Sequence, residues 1–339
     1  MSASRAVAVC ALVVCLAACG SSSHPAATAT RPPAGHSPAF AQLTLAQARS
    51  AFAVFLPAFD RLPGDPALAS QLTTGPETAV ETFAKGNAGP APGTLTGERF
   101  LVPYLTGYPR WFLAAGSASS QQGFLFVLVQ PSAGAAWREA AEIYDLSQPP
   151  QILPDLAFEG FKASGYANPV PAGDVSLTTE PSALSAAYAR YLDDLGRGAQ
   201  GRSFLPGGYT TSYVKTDQET VASAAASGWK FADRQSAANL PAYALQLPSG
   251  VGALVIFYTN DAVSWTAMSS SASIPTSATA SGGMPPLQFL RQLGITAARP
   301  GLRVTATAIN ENLAFVGPAG ATGATIVVND GRALQVAKS

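Results

Sequence analysis

The groups able to do nucleophilic or metal chemistry are few and badly placed. The chain has two histidines, His24 and His36, and three cysteines, Cys10, Cys15 and Cys19. Both histidines fall in Gly20–Pro38, a stretch rich in Ser, Ala, Pro and Thr without apolar periodicity. A segment of that composition cannot hold an imidazole within hydrogen-bond reach of a nucleophile. A Ser-His-Asp triad, a Cys-His pair and a His-ligated zinc site therefore all lack parts. No metal site, cofactor or catalytic residue is assigned. Every cysteine precedes residue 20, so the body has no disulfide framework and must hold together by packing.

Serine with lysine remains. Ser212-Tyr213-Val214-Lys215 matches S-x-x-K, but the β-branched and aromatic context of Thr210–Val214 predicts extended backbone. That would turn Ser212 and Lys215 to opposite faces, and the companion S-D-N and K-T-G motifs are absent. Gly196–Gly201 matches G-x-G-x-x-G, yet it follows a helical pattern instead of a strand, so it reads as a helix stop. Gly317–Gly323 reads as a turn. Asp193-Asp194 ends a predicted helix, where the macrodipole disfavours anions; a cation site and a solvated surface are both open. Glu139 and Glu142 lie on a predicted strand and are expected on opposite faces. Tyr104, Tyr108, Trp111 and Phe112 form the densest aromatic cluster. They are the candidate ligand surface, for glycan or lipid, with core packing beside a hairpin at Pro109 as the alternative.

The elements that must position these groups follow from composition and pattern. The chain has 339 residues, 47% hydrophobic and 12% charged, with 20 basic residues against 20 acidic. No run of Lys or Arg exists, which excludes a phosphate-backbone footprint and hence nucleic acid as a partner. Arg5 precedes a charge-free apolar run, Ala6–Ala18. It is too short to span ~30 Å of hydrocarbon and suits the h-region of an export signal. The run ends Leu16-Ala17-Ala18-Cys19-Gly20, which resembles the bacterial lipobox. The resemblance implies cleavage before Cys19 and a lipid on its thiol. Residues 1–18 then form a signal peptide and 19–39 a disordered tether. The membrane is the partner through Cys19, with the body on the outer face of the cell membrane.

Thr44-Leu45-Ala46-Gln47 is a capping-box pattern, followed at helical spacing by Ala48, Phe52, Phe55, Leu56 and Phe59. Pro57 is expected to kink or end that helix. A second helix is expected after Gly75, with Thr78 and Glu81 as a box. Strands are predicted at Arg99–Tyr104, Arg110–Ala115, Gly123–Gln130 and Trp137–Asp145. The order then repeats. A helix starts at Pro181 and stops at Gly196, and another is expected from the box Thr216–Glu219 to Gly228. Strands follow at Trp229–Asp233, Ala242–Leu247, Gly252–Thr259 and Leu302–Ile309, with short ones at Thr325–Val328 and Ala333–Val336. Ser269–Pro286 reads as a low-complexity loop.

Pro109-x-Trp111-x-Leu113 parallels Pro241-x-Tyr243-x-Leu245, and Gly123–Val129 parallels Gly252–Tyr258. The expectation is an α+β fold of two similar halves, 40–172 and 173–339, each with helices packed on a curved antiparallel sheet. That element order resembles the cone-like fold of cystatin and nuclear-transport-factor-2-like domains. The lipobox, the Ala-rich first helix, Tyr108-Pro109-Arg110-Trp111-Phe112 and the Pro149–Gly165 passage resemble a family of actinobacterial lipoproteins. The resemblance implies fold and location and no chemistry. The leading functional expectation is a non-enzymatic binding module for an envelope protein, glycan or lipid. The alternatives are an envelope enzyme using carboxylate and tyrosine in a cone pocket, and a carrier of apolar molecules.

Overall fold

A computed structural model of the chain describes residues 42–62, 65–83, 92–118, 123–145, 161, 164–248, 250–272, 295 and 299–339. Cys19, the stretch 20–39, and most of Ser269–Pro286 and Pro149–Gly165 lie outside them. Thr44 caps α1 (Leu45–Phe59) as its pattern predicts. Gln47 N–H donates to the Thr44 hydroxyl at 3.1 Å, and Thr44 N–H donates to Gln47 Oε1 at 2.9 Å. Pro57 falls in the last turn, and the helix runs past it to Phe59. A further helix, α2 (Pro66–Leu72), is capped by Asp65, whose carboxylate accepts from Ala67 N–H at 3.0 Å. In α3 (Pro76–Phe83), Thr78 sits inside the helix and makes no capping box.

Four strands follow as an antiparallel meander: β1 (Leu95–Pro103), β2 (Arg110–Ala118), β3 (Gly123–Gln130) and β4 (Arg138–Asp145). A short β5 (Gly165–Ala167) adds parallel to β1, giving the order β4-β3-β2-β1-β5. Alternation splits the strand residues between two cores. Phe100, Phe112, Phe124 and Phe126 meet Phe52, Phe55 and Phe59 of α1, with Phe52 and Phe126 centroids 5.6 Å apart. Trp111, Leu113, Leu125 and Val127 point the other way.

After β5 comes α4 (Pro181–Asp193), with Pro181 in its first turn and Gly196 beyond its end at φ 68°. A π-turn, Gly208–Ser212, then leads into α5 (Tyr213–Ala226). So α5 starts before the expected box, and Ser212 and Lys215 lie on helical, not extended, backbone. The reason is tertiary: the Thr210 hydroxyl donates to Leu205 O at 2.8 Å and Tyr188 OH donates to Tyr209 O, overriding local β preference. Lys215 is exposed and 3.7 Å from Glu219, one turn on. Gly228, at φ 77°, ends α5; a Cβ there would meet Ala272 Cα at 3.1 Å.

The second sheet has the order β10-β9-β8-β6. Its strands are β6 (Trp229–Ala237), β7 (Tyr243–Gln246), β8 (Ala253–Ala267), β9 (Arg303–Val316) and β10 (Thr325–Lys338). β7 shares the β6 edge of β8. These strands are longer than their apolar pattern suggests, because pairing continues through Asp261, Asn310, Glu311, Asn312, Asn329 and Asp330. The two strands expected near the C-terminus are one.

Ala253, Val255 and Phe257 pack on Leu184, Tyr188 and Tyr191 of α4. Leu254, Ile256 and Tyr258 meet Leu113, Leu125 and Val127 of the first sheet. The sheets thus share a core, with helices on their outer faces, within one unit spanning Phe40–Ser339. The fold class is α+β. Among the described residues no helix is long and apolar enough to cross a membrane.

Candidate functional site

Where β4 meets β9 and β10, and α3 packs over them, six carboxyl groups close around one guanidinium. Arg332 is 6% exposed. Its Nη1 lies 3.1 Å from Glu77 Oε2 and 3.6 Å from Glu81 Oε1; its Nη2 donates to Glu142; its Nε lies 3.7 Å from Asp330 Oδ2. Glu142 N–H donates to Glu311 Oε2 at 3.0 Å, and Tyr144 N–H to Asp330 Oδ2 at 3.2 Å. Tyr258 OH donates to Ala140 O at 2.6 Å across the sheets. Glu139 completes the set with no exposure and neither carboxyl oxygen partnered.

Six carboxylates cannot all stay ionised around one cation out of water. Burial first, then the neighbouring acids, hold Glu139 and Glu311 well above the carboxylate range. Burial also lifts Glu81 and Asp330, each to about 7, against the lowering effect of Arg332. Protons retained here give donors to a site whose unpartnered carboxyl oxygens are Glu77 Oε1, Glu311 Oε1 and both of Glu139. Among the described residues no group of three or more His, Cys, Asp or Glu is arranged to hold a metal ion. The arrangement is a fastening between the sheets.

Glu139 and Glu142 were expected on opposite faces. They join the same cluster, because the β3–β4 register slips by one residue between Leu128↔Glu139 and Val127↔Ala141. A bulge inserts one residue and restores the phase. Sequence reasoning missed Glu77, Glu81, Glu311, Asp330 and Arg332. The available signal was acidic residues interrupting apolar strands, as in Ile309-Asn310-Glu311-Asn312-Leu313.

The aromatic candidates do not share one surface. Tyr104 is half-exposed and stacks on Tyr166 at 5.3 Å. Tyr108 lies under the Arg110 guanidinium at 4.5 Å. Trp111 and Phe112, adjacent on β2, point to opposite faces. Trp111 meets Tyr243 at 5.2 Å in the inter-sheet core, and Phe112 meets Trp137 at 4.9 Å under α1.

An open site lies on the first helix layer. A groove of ≈ 600 Å³ runs along α1, bounded by Leu72 of α2 and by Ala136 and Trp137 ahead of β4. Ala46, Ala51, Val54, Phe55 and Ala58 line its floor; among the described residues Gln47 and Ser50 are the polar ones and no charged residue lines it. Val54 is 77% exposed. The one charged residue of α1, Arg49, lies over the Phe100 ring at 5.8 Å. A helix apolar on both faces ordinarily has something covering each.

Fold and sites together define a two-sheet α+β protein, fastened internally by buried charge and grooved on its first helix layer. The chain belongs to the family described as Domain of unknown function (DUF8094), whose profile matches residues 63–324. It is 31% identical over 136 residues to an "Uncharacterized lipoprotein" of Streptomyces avermitilis, covering 40% of this chain and 38% of that protein. It is 27% identical over 183 residues to an uncharacterized lipoprotein of Streptomyces coelicolor, covering 50% of this chain and 52% of that one. The chain thus spans about half or less of the length of these relatives. No solved structure matches it.

Proposed function

We propose that the protein is a lipid-anchored module on the outer face of the cell membrane that binds an apolar chain, such as an acyl chain, in the α1 groove. The lipobox around Cys19 and two relatives named lipoproteins support the anchor. The groove carries the binding reading: its volume lies within the roughly 300–1,000 Å³ of small-molecule sites, and its lining offers almost nothing but apolar contact. The test is titration of a fluorescent fatty acid into the full chain and its Val54→Glu variant. Saturable binding by the parent, lost in the variant, is expected. Equal binding by both refutes the groove, and release of a Cys19→Ser variant from membranes tests the anchor separately.

The two halves are read as a duplication. Under the pairing of Gly123–Val129 with Gly252–Tyr258, Phe124, Phe126 and Leu128 face helices, as do their counterparts Ala253, Val255 and Phe257. Leu125 and Val127 face the shared core, as do Leu254 and Ile256. The paired residues Trp111 and Tyr243 touch each other, as equivalents near a two-fold axis do. Acid–base catalysis has one observation in its favour, since burial and Asp233 push the carboxyl of Asp261 up to about 9. That reading requires turnover of an envelope substrate that Asp261→Asn abolishes.

A further inference from the structure

The second sheet runs on past the core it shares with the first. Leu254, Ile256 and Tyr258 of β8 face that core. Further along the same face of β8, Ala262 is exposed, and Ser264 and Thr266 are half-buried. The opposite face stays covered there, where Trp229, Phe231, Trp265 and Val304 pack with Ala224 of α5. The sheet therefore ends with one face in its own small core and the other in water.

That end gathers positive charge. Lys230 of β6 and Arg303 of β9 both pair with Thr266, so they flank it on the open face, two strand spacings or about 10 Å apart. Arg299 stands in the turn before β9, its carbonyl accepting from Leu302 N–H at 3.0 Å. All three cations are exposed, and among the described residues none has an acidic partner. Arg234, also on that face of β6, is held by Asp193 at 3.5 Å and is not counted with them. Met268 follows β8 directly, its N–H donating to Gly228 O at 2.9 Å, and its side chain is 63% exposed. The sequence around this end carries no acid. From Ala262 to Asn310 there is no Asp or Glu, nor is there one from Thr220 to Ala232, in a chain whose charges balance overall.

We propose that this end of the second sheet docks on an anionic lipid surface, with Lys230, Arg299 and Arg303 against the headgroup phosphates and Met268 entering the interface. The argument is charge complementarity. Three unpaired cations with no acid among them have no use inside the fold, and each cation near an anionic bilayer strengthens binding about fivefold. Met268 adds an apolar side chain that gains by leaving water. Nucleic acid is a poorer match, because its binding proteins neutralise about six phosphates or more and gain nothing from an exposed methionine. The proposal does not depend on the α1 groove or on the lipid at Cys19.

The test is flotation of residues 19–339 carrying Cys19→Ser, which removes the lipid acceptor. The probes are phosphatidylcholine vesicles with and without about 30% phosphatidylglycerol, at about 0.1 M salt. Binding to the anionic vesicles at least about tenfold above the neutral ones is expected, falling away at about 0.5 M salt. Lys230→Glu with Arg303→Glu should abolish the preference. Arg61→Glu with Lys215→Glu makes the same change of charge at exposed positions outside this end and should keep it. All four positions are exposed, and melting temperatures matching the parent's show that the variants are folded. Met268→Ser should weaken binding several-fold. No flotation of the parent with anionic vesicles overturns the proposal, as does equal flotation with both kinds or an equal loss in the two charge-reversed pairs. Binding that Met268→Ser leaves unchanged also overturns it, since charge alone would then drive binding, as for a soluble anionic polymer.

Discussion

Around Arg332, ionisable side chains are shut away from water, while along α1 Ala46, Val54 and Ala136 are left against it. The two regions depart from the usual partition in opposite directions, and they differ in what completes them. The junction supplies its own cation and its own protons, and it serves the fold. The groove has no partner within the described residues, so it is open and available to a ligand. Buried charge and exposed apolar surface are the two informative departures in any protein. Here each marks a separate task. Changes at the junction should move stability and leave groove binding alone, and changes at the groove should do the reverse.

The largest effect is expected from Arg332→Met. Removing the one cation leaves buried carboxylates uncompensated, a loss of about 3–5 kcal/mol in urea unfolding at pH 7.5. The loss should shrink at pH 5, where protonation discharges Glu81 and Asp330. Fatty-acid affinity per folded molecule should not change. A matching affinity loss would merge the two regions into one.

Next is the pH dependence of the parent. Glu81, Glu139, Glu311 and Asp330 have folded values raised above their unfolded ones. Above about pH 4.5 the unfolded chain releases these protons and the folded chain keeps them. Stability is therefore full below that pH and falls as pH rises towards 7 and beyond, by about 1.4 kcal/mol per pH unit for each retained proton. Thermal melting should rise from pH 8 to pH 5. A flat profile contradicts protonated carboxyls at the junction.

A smaller effect is expected from Glu139→Gln, which replaces a carboxyl that must carry a proton by a neutral amide of the same shape. At pH 8 it should leave stability unchanged or raise it by about 1 kcal/mol, and it should flatten the pH profile. A loss of several kcal/mol would mean that Glu139 is ionised and compensated. Smallest in stability is Val54→Glu, within about 0.5 kcal/mol because the side chain is exposed.

How far the sequence exposed this architecture depends on the same partition. Where residues obey it, as in the Thr44 box, the Phe52–Phe55–Phe59 face and the run Gly123–Gln130, local chemistry located the elements closely. β8, β9 and β10 were cut short at Thr259, Ile309 and Val328, because polar residues end an apolar alternation on paper. Backbone pairing with neighbouring strands carries them through Asp261, Glu311 and Asp330 in space. Two of the polar residues that hid the strands, Glu311 and Asp330, help to build the junction. Glu77 and Arg332 lie 255 positions apart, so no local pattern could join them. The α1 groove was hidden for the converse reason: periodicity showed the buried stripe, and alanines on the other face carried no signal of their own.

The most direct measurement is photolabelling of the full chain with a diazirine-bearing fatty acid, followed by peptide mapping. Adducts on Leu45–Phe59 and at Trp137, suppressed by excess unlabelled fatty acid, are the predicted result. Adducts spread over the surface, or confined to peptides outside the α1 layer, would contradict the assignment of the groove as the binding site.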